Sequence, residues 1–237
     1  MGKRPRLLFV HGSVVNAELT WAAQKPLADR FELVLPNRRG FPPGPDVDRV
    51  DFEDEAVWFE QFLEPGTHVV GHSYGGVIAL LLAAAHPAEV GSLTVIEPPA
   101  TAVARGVPPV DEFVAGAEWL WTEGPRDPAE FLTAFFDAVG TRVPPGEFNA
   151  ALLQGARTLM VERLPSEAEI PLDALAAAPF PTLVVTGAHH EAFDAIADVL
   201  ETRLDAERLV FPGAGHSVQR LGAPFNAALA DFVTRSS

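Results

Sequence analysis

The chain has 237 residues, of which 48% are hydrophobic and 21% charged, and carries a formal net charge of −15 at pH 7. That length and balance suit one α/β domain with a sizeable core and exclude a disordered chain. An acidic surface with only two lysines, Lys3 and Lys25, argues against nucleic acid and anionic membranes as partners, and the absence of cysteine excludes disulfides, thiolate catalysis and cysteine-based metal sites.

Met1-Gly2-Lys3-Arg4-Pro5-Arg6 is followed by only four apolar residues before His11, too short a run for a signal peptide. No apolar stretch approaches a membrane span, so a soluble cytoplasmic protein is expected. Residues 6–10 (RLLFV) read as a buried parallel strand closed by His11-Gly12-Ser13, and a helix is expected over 17–30. Residues 31–36 give a second strand, ending at Asn37-Arg38-Arg39-Gly40-Phe41, and Pro42, Pro43, Gly44 and Pro45 enforce a loop. Phe52, Ala56, Val57, Phe59 and Phe62 recur at helical spacing behind an acidic start, which predicts a helix within 51–63.

The next strand, Thr67-His68-Val69-Val70, runs into Gly71-His72-Ser73-Tyr74-Gly75-Gly76 and then into an Ala/Leu-rich helix over 75–86. A G-x-S-x-G run between a strand and a helix puts Ser73 on a tight, strained turn with its hydroxyl clear of the sheet. Unpaired N–H groups at the helix start favour the negative charge that develops in acyl transfer. A fourth strand, 92–96, stops at Glu97-Pro98-Pro99. Strand character is then lost from about 100 to 172, where helices are expected around 110–121, 128–139 and 147–163. Strands at 181–187 and 207–211, with helices at 192–204 and 222–234, complete the pattern. Alternating strands and helices predict a doubly wound, mostly parallel sheet, whose strand ends share one rim. His11, Ser73, Glu97, Gly187 and His216 all fall just past strand ends.

His11-Gly12, Arg39-Gly40-Phe41, Gly71 to Gly76, Pro181-Thr182-Leu183 and Gly213-Ala214-Gly215-His216 occur in the order found in α/β-hydrolase-fold enzymes, which the chain resembles over nearly its whole length. The resemblance implies a trimmed member without the family's first two strands, its core in 1–97 and 173–237 and a helical cap in 98–172. It also implies Ser73 as nucleophile, His216 as base, and an oxyanion hole from the backbone N–H groups of Tyr74 and Ser13. His11 is expected to brace that loop, His72 to pack under the turn, and His68 and His86 to be structural.

Most relatives carry an Asp after the penultimate strand, where this chain has Gly187-Ala188-His189-His190. Glu97 is the favoured substitute, similar to the acid's position in some haloalkane dehalogenases and zearalenone-type lactonases; Glu191 comes next and Asp194 third. His189 and His190 are read as pocket-lining or surface residues, since adjacent histidines rarely share a metal. No metal or cofactor is expected. Phe113, Trp119, Trp121, Phe131, Phe135, Phe136, Phe148 and Met160 supply the cap's apolar faces, with Arg105 or Arg157 as possible carboxylate binders. The expected partner is a small, mostly apolar substrate, and the oligomeric state is open. The leading expectation is a cofactor-free serine hydrolase of esters, thioesters or lactones. The alternatives are a lyase or C–C-bond-cleaving enzyme on the same site, and a ligand-binding protein with a vestigial triad.

Overall fold

A computed structural model describes residues 4–142 and 146–236, so Met1, Gly2 and Lys3 of the N-terminal run lie outside it. Its strands are β1 (Arg6–Val10), β2 (Glu32–Val34), β3 (Thr67–His72), β4 (Val90–Ile96), β5 (Thr182–Thr186) and β6 (Glu207–Val210). They form one sheet in the order β2-β1-β3-β4-β5-β6, and every pairing is parallel. The chain starts in the sheet's interior, steps outward to β2, then returns and crosses to the far edge. The direction of winding therefore reverses between β1 and β3, a position that in open α/β sheets marks the ligand crevice.

The two-residue alternation of a strand sorts the core. Leu7 and Phe9 of β1 point to one face, where they meet Trp21, Phe225, Leu229 and Phe232. Leu8 and Val10 point to the other, against Phe52, Phe59, Val77 and Leu80. Helices α2 (Phe52–Phe59), α3 (Tyr74–Ala85) and α8 (Glu191–Leu204) cover that second face, while α9 (Ala223–Arg235) covers the first. The helix expected over 17–30 is instead a short α1 (Ala17–Thr20) followed by a 3-10 stretch, Ala22–Asp29. Pro26 lies inside that stretch, where its missing N–H and fixed ring preclude an ordinary α-helical turn.

Between β4 and β5 the chain inserts α4 (Pro108–Thr122), α5 (Pro128–Ala138), α6 (Ala150–Met160) and α7 (Leu172–Ala176). Asp127 and Asn149 cap α5 and α6 through their side chains, accepting backbone N–H groups in the first turn. Leu120, Phe131, Leu132, Ala156 and Leu159 form a separate apolar cluster that also takes in Val14 from the loop after β1. The insertion thus packs on that loop. At Gly155 of α6 a Cβ would lie 1.8 Å from the Val14 carbonyl oxygen, so only glycine allows the helix to come this close.

One buried ion network backs the same loop. The Arg38 guanidinium is fully buried between Glu162 (2.8 Å) and Glu55 (3.4 Å) and lies over the Tyr74 and Phe41 rings. It also donates to the Gly12 carbonyl at 3.1 Å. Glu162 in turn accepts the Ser13 hydroxyl proton at 2.5 Å. Burial raises the Glu162 carboxyl above its ordinary range even though Arg38 and Ser13 pull the other way.

Candidate active site

Ser73 sits between β3 and α3 with φ 53° and ψ −128°, a strained backbone for a residue with a Cβ. The strain is held by close packing on both sides. A Cβ at Gly71 would lie 2.4 Å from the Gly75 carbonyl oxygen, and one at Gly75 would lie 2.3 Å from that of Val10. The Ser73 hydroxyl lies 2.9 Å from His216 Nε2, and both residues are almost entirely buried.

His216 reaches this point from the loop after β6. At Gly187, just past β5, a Cβ would lie 2.2 Å from the Gly215 carbonyl oxygen, so the two loops touch backbone to backbone. Glu97 closes the arrangement from the end of β4, fully buried and with φ 49°. Its Oε1 accepts the Gly187 N–H at 2.6 Å, and its Oε2 faces His216 Nδ1 at 3.8 Å. That second separation is longer than a hydrogen bond. Burial favours the neutral acid, but His189, His216 and the Gly187 N–H outweigh it and hold the Glu97 carboxyl down at about 2.

The other carboxylates expected as candidates stand elsewhere. Glu191 is an exposed residue in the first turn of α8, and Asp194 lies 3.7 Å from Arg208. Of the three, Glu97 is the one that faces His216. His189 supplies a contact that sequence reasoning missed: its Nδ1 lies 3.5 Å from Glu97 Oε1. By donor type Glu97, His189 and His216 could hold a divalent ion, their donor atoms lying within 4.8 Å of one another. A tetrahedral zinc site would need them to close to roughly 3.3 Å apart. His190 caps α8 by accepting the Ala192 N–H at 3.2 Å.

His11 uses both ring nitrogens on backbone, Nδ1–H donating to the Gly12 carbonyl and Nε2 accepting the Arg38 N–H, each at 2.8 Å. It braces the loop, as expected. His72 Nε2–H donates to the His216 carbonyl at 2.9 Å, which ties the Ser73 turn to the His216 loop. His68 contacts the Ser92 hydroxyl and His86 lies against Glu60, both away from Ser73.

Two cavities meet at Ser73. The first, about 630 Å³ including its opening, is lined by Phe113, Leu120, Trp121, Phe135 and Phe193 along with Ser13 and Tyr74. The second, about 710 Å³ on the same measure, is more polar and adds His72, His216, Gln219, Arg142 and Arg220. Phe135 and Val139 lie between them, lining both. Trp119 points to solvent, and Phe131 and Met160 pack within the insertion. Arg105 and Arg157, considered from sequence as carboxylate binders, pair instead with Glu169 and Asp46 at the surface.

The sequence model of the alpha/beta hydrolase family matches residues 7–230. The chain belongs to this family. It is 35% identical over 136 residues to a fluoroacetate dehalogenase from a Burkholderia species, a match spanning 51% of this chain and 42% of that one. The match thus spans less than half the length of that curated relative. In fold it is similar to a thermophilic esterase from Thermogutta terrifontis, with TM-score 0.66, 20% identity and coverage of 100% of this chain and 92% of that one. NosK from Streptomyces actuosus gives TM-score 0.64, 24% identity and coverage of 99% of each chain. Among the described residues no helix of this hydrolase-family chain is long and apolar enough to cross a membrane.

The buried imidazoles make stability pH-dependent. Burial, with some help from His216, lowers His72 from 6.5 to about 3, and burial lowers His11 well below 6.5. An unfolded chain binds those protons near 6.5, so between about 6.5 and about 3 it holds more protons than the native state and stability falls as pH falls. We expect the urea midpoint to drop as pH is lowered from about 6.5. In His72→Gln, whose amide can still reach the His216 carbonyl, the slope should be shallower; an unchanged slope would show that His72 does not titrate on unfolding.

Proposed function

We propose that the protein is a serine hydrolase that cleaves an ester, thioester or lactone of a small substrate through an acyl-enzyme on Ser73. What carries the reading is the 2.9 Å contact between the Ser73 hydroxyl and His216 Nε2 on a strained turn. In this mechanism His216 Nε2 takes the Ser73 proton as the oxygen attacks the carbonyl, then passes it to the leaving group. Water enters next, gives a proton to the same nitrogen and attacks the acyl carbon, which frees the acid and restores the serine. Glu97 holds His216 in the tautomer with a proton on Nδ1 and offsets the charge of the imidazolium.

The oxyanion is received by the backbone N–H groups of Ser13 and Tyr74. Tyr74 opens α3, so its N–H has no acceptor within the helix, and Ser13 lines the same cavity as Ser73. The insertion, residues 98–172, acts as a cap whose aromatic faces wall the first cavity and favour an apolar acyl or alkyl group there. The likeness to a fluoroacetate dehalogenase does not extend to its reaction, because carbon–halogen displacement of that kind needs an aspartate where this chain has Ser73.

A fluorophosphonate probe should label the wild-type protein and leave Ser73→Ala unlabelled. Short p-nitrophenyl esters should be turned over by the wild type, with kcat reduced about 10⁴-fold in Glu97→Gln and little changed in Glu191→Gln. Labelling without ester turnover would point to the non-hydrolytic chemistry of the same site. An Asp194 or Glu191 variant as damaged as Glu97→Gln would move the acid to α8.

A further inference from the structure

We infer that the second cavity is an anion subsite, formed by Arg142 and Arg220, that takes a carboxylate or phosphate group on the substrate; this rests on the serine-hydrolase reading of Ser73. The other arginines are engaged. Arg6, Arg38, Arg39, Arg49, Arg105, Arg157, Arg163, Arg203, Arg208 and Arg235 each meet a carboxylate. Arg4 and Arg126 donate to carbonyl oxygens and Arg30 to a hydroxyl. In a chain with almost twice as many acids as bases, Arg142 and Arg220 alone hold their guanidinium groups without an acceptor among the described residues, and both line one cavity with Ser73 and His216. A guanidinium matches carboxylate and phosphate oxygens in a two-pronged hydrogen bond, and a surrounding field of −15 would repel such a ligand from everywhere else. An acyl group with an anionic far end would thus lie across Ser73 with its charge in the second cavity and its apolar part in the first.

The p-nitrophenyl esters of glutaric acid (as the hemiester) and of pentanoic acid are nearly matched in length and differ in charge. The wild type should prefer the hemiester by about tenfold or more in kcat/KM, and Arg142→Gln combined with Arg220→Gln should reduce that ratio at least tenfold. Titration of glutarate and of inorganic phosphate into Ser73→Ala measures the subsite without turnover and separates the two kinds of anion. Binding of either, lost when both arginine substitutions are added to Ser73→Ala, supports the subsite even if no ester is cleaved. Equal kcat/KM for the two esters, or no anion binding to Ser73→Ala, would overturn it.

Discussion

A carboxylate with no exposure to water must find its partners inside the protein, and Glu97 finds them on two different loops. The Gly187 N–H and the His189 ring reach it from the connection between β5 and α8, and His216 from the loop after β6. Each partner favours the ionised acid, and together they outweigh the burial that opposes it. The loops are fastened to one another as well, by the Gly187–Gly215 backbone contact and by the His72 bond to the His216 carbonyl. The position of the imidazole over Ser73 follows from this set of ties more than from any preference of its own glycine-rich loop.

The opposite side of Ser73 is fixed by a second system with different chemistry. The loop after β1 is held from below by His11 and Arg38, and from above by the insertion, where Gly155 meets Val14 and Glu162 holds the Ser13 hydroxyl. A buried arginine with two carboxylates is costly to desolvate and gives little net stability, but removing one member would leave an uncompensated charge. Such a network resists rearrangement. It couples the helical insertion to the loop after β1, so movement of the insertion and the position of Ser13 are linked.

Much of this was legible in the sequence because it depends on local chemistry. Gly71 and Gly75 announce the turn, the apolar strands announce a parallel sheet, and such a sheet brings its strand ends to one rim. Glu97 could be singled out because the usual acid position holds His190. The contacts that stayed hidden are those between elements far apart in the chain. Nothing near Gly155 indicates that Val14 passes within van der Waals reach, and nothing beside Glu162 points to Ser13, 149 positions away. The arginines illustrate the same limit: Arg105 and Arg157 look no different in sequence from Arg142 and Arg220, and only their surroundings separate surface pairs from cavity walls. The helix expected over 17–30 failed for a local reason that could have been read, since Pro26 stands in its middle.

The central claim is that Ser73, His216 and Glu97 act as one proton-transfer unit. It is tested most directly by a crystal structure of the protein with an organophosphonate bonded to Ser73, which mimics the charged intermediate. The imidazolium formed beside the adduct should draw Glu97 Oε2 and His216 Nδ1 together from 3.8 Å to below about 3.0 Å, with the phosphoryl oxygen on the amides of Ser13 and Tyr74. A phosphonate bonded elsewhere, or a His216 ring turned away from Glu97 toward another acid, would contradict the account.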